Sequence, residues 1–145
     1  LSNGENIEPQ PIEDACLRSP FISQIMLVGQ DQKALGALIV PNLDILANWA
    51  QEQKLSLNLP DLHSDRSTIL SSDLYSKKVL ALYQQELKRE VRNRPGYRTD
   101  DQIKTFELIL EPFSLENGMM TQTLKIKRPV VTQRYRDMIN EMFAK

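Results

Sequence analysis

Two lysines spaced two residues apart, Lys125 and Lys127, lie in the run TQTLKIKR at residues 121–128, with threonines before them and Arg128 behind. Side chains alternate along an extended chain. The spacing therefore predicts a strand with Thr121, Thr123, Lys125 and Lys127 on one face and Gln122, Leu124 and Ile126 on the other. An ammonium on a four-carbon arm can follow negative charge as it develops on a carboxylate or phosphate and offset it. An ordinary solvated strand face has the same pattern, and spacing alone leaves both readings open.

Composition narrows the classes of function. With 145 residues, 41% hydrophobic and 26% charged, the chain reads as one globular domain with a real core, small for a whole metabolic enzyme. The longest apolar run, Leu35 to Val40, stops at Pro41 and is far too short to span a bilayer. A single cysteine, Cys16, excludes an internal disulfide framework, and a single histidine, His63, leaves no His/Cys cluster of zinc spacing, so no metal site is expected. The first residues, LSNGENIEP, have neither the basic start nor the apolar stretch of a signal peptide, and they begin without methionine. The expectation is a piece of a longer chain working in the cytoplasm, with peripheral membrane contact as an option. A net charge of −1 argues against general nucleic-acid affinity, but the charge is uneven. Residues 1–65 carry nine acidic and three basic side chains, whereas residues 66–145 carry ten acidic and fifteen basic. An acidic partner would meet the second half, at Lys77 to Arg98 or Lys125 to Arg136, unless these are simply solvated faces.

The elements that must hold the lysines follow from periodicity and punctuation. A short helix is expected over residues 8–19, ending before Pro20. A hairpin then runs through Phe21 to Val28, turns at GQDQK and returns through LGALIVP. Asn42 is placed to cap a helix over 43–54, with Trp49 as a core anchor. Residues 55–71 read as an irregular loop carrying His63 on the surface, followed by a long helix from Asp73 to Arg92 with an apolar stripe. Pro95 and Gly96 break that helix. IKTFELIL at 103–110 reads as a strand, and Asn117 with Gly118 marks a tight turn before the lysine strand. Pro129 opens a final helix to about Phe143. The sum is a small α+β domain, its sheet largely antiparallel and flanked by helices, filling residues 1–145.

Two segments in order resemble a known family. GENIEPQPIED at 4–14 is similar to the glycine-containing segment just after the hinge of adenylate-forming enzymes, the acyl-CoA synthetase and luciferase superfamily. TQTLKIKR resembles that superfamily's C-terminal lysine motif as long-chain fatty acid activating members carry it. NRPGYRTDDQI at 93–103 and FELILEPFSLENGMMTQTLKIKR at 106–128 look like the cyanobacterial and plastid acyl-acyl carrier protein synthetase branch. The resemblance implies the mobile C-terminal domain of a ligase whose large N-terminal domain binds ATP, with magnesium, and the fatty acid. Such enzymes form an acyl-adenylate and then pass the acyl group to a phosphopantetheine thiol of acyl carrier protein or coenzyme A.

Carried onto this sequence, the resemblance makes Lys125 the adenylation lysine and Lys127 its neighbour. Gly4 matches the glycine beside the thiol tunnel, where a missing side chain lets a pantetheine arm pass the backbone. Glu5 and Asn6 flank that passage, with Asn6 standing where some branches carry arginine. Glu8 and Glu13 match structural positions. Arg92, Arg94 and Arg98 become candidates for steering an acidic carrier protein. Expected partners are the chain's own N-terminal domain, fatty acid, and acyl carrier protein or coenzyme A. The competing class is a non-catalytic module with a basic face for an acidic protein or anionic lipid.

Overall fold

The computed structural model describes residues 7–29 and 32–144. Helix α1 (Pro9–Cys16) leads into the antiparallel pair β1 (Ile22–Val28) and β2 (Leu35–Pro41). Asn42 then accepts the Ile45 N–H at 3.2 Å and starts α2 (Leu43–Glu52), as its side chain and position predict. Helices α3 (Arg66–Ser71) and α4 (Lys77–Arg92) follow, separated by a 3₁₀ turn at Asp73–Tyr75. A second 3₁₀ turn, Thr99–Asp101, delivers the chain to β3 (Ile103–Leu108). Helices α5 (Arg128–Arg134) and α6 (Arg136–Ala144) close the described chain.

The three strands lie in the order β1, β2, β3. All seven residues of β2 are buried, which its uninterrupted apolar sequence foreshadows for a central strand covered on both faces. Alternation divides the interior in two. Ile25 and Leu27 of β1 and Leu35, Ala37 and Ile39 of β2 enter one core with Ile12, Leu46, Val79, Tyr83 and Leu87. Met26, Val28, Leu38 and Val40 enter the other with Phe113, Met119, Val131 and Met142. Trp49 meets Phe21 edge-on at 6.4 Å beside the first core, as expected of an anchor, and His63 is exposed on its loop.

The sheet is more mixed than the sequence pattern suggests. Strand β3 runs parallel to β2, with Ala37 beside Phe106 and Ile39 beside Leu108. A parallel return needs a long crossover, and α2, α3 and α4 supply it. The expected loop at 55–71 contains α3, started by the Asp65 carboxylate accepting the Thr68 N–H at 2.8 Å. The expected helix from Asp73 is cut at Ser76, whose hydroxyl caps α4 instead. The expected final helix is two helices, because Tyr135 departs from helical geometry at φ −112° and ψ 24°. The lysine strand is absent. Residues 120–127 form a closed turn with an isolated bridge between Met120 and Ile126.

Helix α6 approaches the sheet closely because glycine stands beneath it. A Cβ at Gly36 would lie 2.7 Å from Met142 Sδ and 2.9 Å from Phe143 Cζ. Gly36→Ala is therefore expected to lower unfolding free energy by about 1–3 kcal/mol in urea titrations, through overpacking under α6.

Candidate functional site

The lysine segment is built from both ends. Upstream, Asn117 is fully committed: its Oδ1 accepts the N–H groups of Ser114 and Met119, both at 3.1 Å. Its Nδ2 donates to Pro112 O at 2.7 Å and Glu111 Oε2 at 3.2 Å. Gly118 follows with φ +79°, the left-handed geometry glycine adopts without strain. Gln24 of β1 grips the same loop, donating to Phe113 O at 3.0 Å and accepting the Phe113 N–H at 2.7 Å. Buried Phe113 and Met119 then seat the loop on the second core.

At the tip the backbone closes on itself. Thr121 N–H donates to Lys125 O, Leu124 N–H to Thr121 O, both at 2.9 Å, and Lys127 N–H to Met119 O at 2.8 Å. The Thr121 hydroxyl accepts the Lys125 N–H at 3.2 Å. Threonine hydroxyls that bond nearby backbone favour turns over ladders, which is why alternation misjudged the segment. Leu124 takes φ +63° and is 71% exposed, whereas the expected strand puts it on one face with Ile126. Ile126 does pack against the second core. Lys125 and Lys127 flank it and are exposed, and neither ammonium has a carboxylate partner among the described residues.

Downstream, Arg128 opens α5 and reaches 115 positions back along the sequence. Its Nη1 donates to Glu13 Oε2 at 2.8 Å and its Nη2 to Glu13 Oε1 at 2.6 Å. Glu13 Oε2 also accepts the Leu27 N–H at 2.7 Å. The fork-on-carboxylate geometry is the strong form of the ion pair, and hydrogen bonding to Glu13 holds the Arg128 guanidinium above its ordinary pKa. Glu13 is buried among these partners, while Glu8 is exposed ahead of α1. Neither Gln24 nor the reach of Arg128 to Glu13 is signalled by local spacing, since both act across the fold.

Gly4, Glu5 and Asn6 lie outside the described residues. The three candidate docking arginines are not equivalent. Arg94 Nη2 meets Asp101 Oδ2 at 2.9 Å, and the Asp101 side chain is only 1% exposed. Arg98 donates its backbone N–H to the same Oδ2 at 2.9 Å and brings its Nε within 3.7 Å of Oδ1. Arg94 is thus a builder of the turn after α4 rather than a free surface charge. Arg92 is exposed, and with Lys88 and Arg89 it lines a shallow groove on α4 that also includes Gln84, Gln85 and Asn93. Arg89 is paired with Glu86 at 2.6 Å, while Lys77, Lys78 and Lys88 are also exposed on this helix.

Burial pushes the Cys16 thiol up to about 12, helped by the Glu13 and Glu90 carboxylates, so it stays protonated at neutral pH. Among the described residues no group of three or more His, Cys, Asp or Glu side chains converges, and no helix is long and apolar enough to cross a membrane.

The fold is that of an adenylation-type C-terminal domain. It matches the A domain of carboxylic acid reductase from Segniliparus rugosus, solved with AMP and a co-purified carboxylic acid, at TM-score 0.73 over 99% of this chain and 19% of that one, with 23% identity. Residues 1–69 match the family described as AMP-binding enzyme C-terminal domain. It is 33% identical to a probable chloroplastic acyl-activating enzyme 16 of Arabidopsis thaliana over 99% of this chain and 18% of that protein. It is 32% identical to a chloroplastic long-chain-fatty-acid–[acyl-carrier-protein] ligase of Arabidopsis thaliana, covering 16% of it, and 30% identical to human long-chain-fatty-acid–CoA ligase 6, covering 19%. The chain spans less than a fifth of the length of these relatives.

The different standing of the arginines is open to measurement. Asp101→Ala should cost about 3 kcal/mol of stability by leaving Arg94 uncompensated, while Arg92→Ala should stay within about 0.5 kcal/mol in the same denaturant titration.

Proposed function

We propose that this chain acts as the mobile C-terminal domain of an AMP-forming fatty acid ligase, with Lys125 as its adenylation lysine. A larger N-terminal domain supplies the sites for ATP, with its magnesium, and for the fatty acid. The supporting observation is Lys125 itself: an exposed ammonium with no carboxylate partner among the described residues, on a tip whose backbone is closed at Thr121 and Lys127. Attack of a carboxylate on ATP brings two anions together. A pre-placed ammonium offsets that repulsion without waiting for solvent to reorganise. Lys127 is a neighbour on the other side of Ile126.

The second step delivers the acyl group to a phosphopantetheine thiol, and Gly4, Glu5 and Asn6 are proposed to border its passage. The plant relative named as an acyl-carrier-protein ligase favours carrier protein as acceptor; the human relatives named as CoA ligases favour coenzyme A. Carrier protein is the preferred reading because the exposed face of α4 is cationic at Lys77, Lys78, Lys88 and Arg92, and its two glutamates, Glu86 and Glu90, are paired with Arg89. Arg98 and Arg94 follow in the turn after α4, both beside Asp101. Reversing Lys88 and Arg92 to glutamate should raise the KM for carrier protein several-fold and leave that for fatty acid unchanged. Equal constants for wild type and variant would count against docking on α4.

Lys125→Ala in the full-length protein decides the main reading. Pyrophosphate release from ATP and fatty acid should fall by about a hundredfold or more, while thioester formation from supplied acyl-adenylate persists. Near-normal pyrophosphate release would favour a binding module with a basic face for an acidic protein or anionic lipid.

A further inference from the structure

We propose that Glu13 and Arg128 are positioning residues for Lys125, acting as a tether that fixes where the lysine tip stands; this rests on the adenylation reading above. The tip itself has few bonds to the rest of the fold. Its internal closure, through Thr121, Leu124 and Lys125, sets its shape but not its place. Place comes from Ile126 on the second core, from the Lys127 N–H bond to Met119 O, and from the two ends. Asn117 and Gln24 fix the upstream end to the loop and to β1. Arg128 fixes the downstream end, and it stands three residues from Lys125, within about 10 Å of chain even when fully extended.

The pair carries geometric information as well as charge. Both Nη atoms of Arg128 meet both oxygens of Glu13, and Oε2 also receives the Leu27 N–H from β1. The carboxylate side chain is 5% exposed. Its orientation is therefore set by β1, and the planar fork transmits that orientation to the first turn of α5. A single-point charge such as lysine would keep the attraction and lose the angle. Misplacing a catalytic group by about 1 Å can cost on the order of a hundredfold in rate. A pair that served stability alone would affect both half-reactions alike.

The experiment uses the full-length enzyme with Arg128→Lys, and Glu13→Gln as a second entry into the same pair. Expected results are a fall of about tenfold or more in kcat for pyrophosphate release, with KM for ATP and fatty acid and the rate of thioester formation from supplied acyl-adenylate each within about twofold of wild type. In a Lys125→Ala background Arg128→Lys should slow pyrophosphate release no further, because the residue it positions is gone. Equal slowing of both half-reactions, or the same fold-loss with and without Lys125, would overturn the tether. Normal pyrophosphate release in Lys125→Ala alone would instead sink the adenylation reading on which it rests.

Discussion

A carboxylate taken out of water must be met by a cation and by hydrogen bonds, or it costs several kcal/mol. Glu13 is in that position, buried against β1, and it is satisfied by the Leu27 N–H and the Arg128 fork. That one requirement brings three distant parts of the chain to a point: the acidic helix that starts the described chain, the edge strand of the sheet, and the helix that follows the lysines. With Glu13 fixed by α1 and β1, Arg128 has one low-energy place to go. The downstream end of the lysine tip inherits its location from that choice.

The scaffold makes such an arrangement possible by burying β2 on both faces. One core holds α1, α2 and α4 against the sheet; the other holds the loop after β3 together with α5 and α6. Residues 109–120 can therefore lie across the second face as an ordered loop, gripped by Gln24 and knotted by Asn117, although they contribute no strand. Glycines 29 and 36 let Phe143 and Met142 press against the same face. The lysine tip stands at the end of packed structure, exposed and closed by its own backbone hydrogen bonds.

Much of this was legible in sequence where one residue type admits one conformation. Asn42 before an apolar stripe, Gly118 after Asn117, Pro9 at a helix start and the uninterrupted apolar run of β2 all did what their chemistry demands. Direction was harder, since IKTFELIL alternates equally well in a parallel or an antiparallel strand; the long crossover before it was the overlooked clue. Alternation also misplaced Leu124, because two threonine hydroxyls and a left-handed residue turned an expected strand into a closed loop. Charge counts found the basic half of the chain but not that Arg94 is held by Asp101. The run TQTLKIKR stands out in the sequence, whereas the reach of Arg128 to Glu13 is a property of the fold.

Native-state hydrogen exchange tests the tether most directly. In the wild-type protein the N–H groups that join the tip to the rest of the fold, Lys127 to Met119 O and Val130 and Val131 to Lys127 O, are hydrogen-bonded and should be protected. In Glu13→Gln their protection should drop by about tenfold more than that of Leu38 in β2, showing the tip freed while the sheet holds. Amides at these positions that keep their protection, or that lose it only in step with Leu38, would contradict the claim that this ion pair sets the position of Lys125.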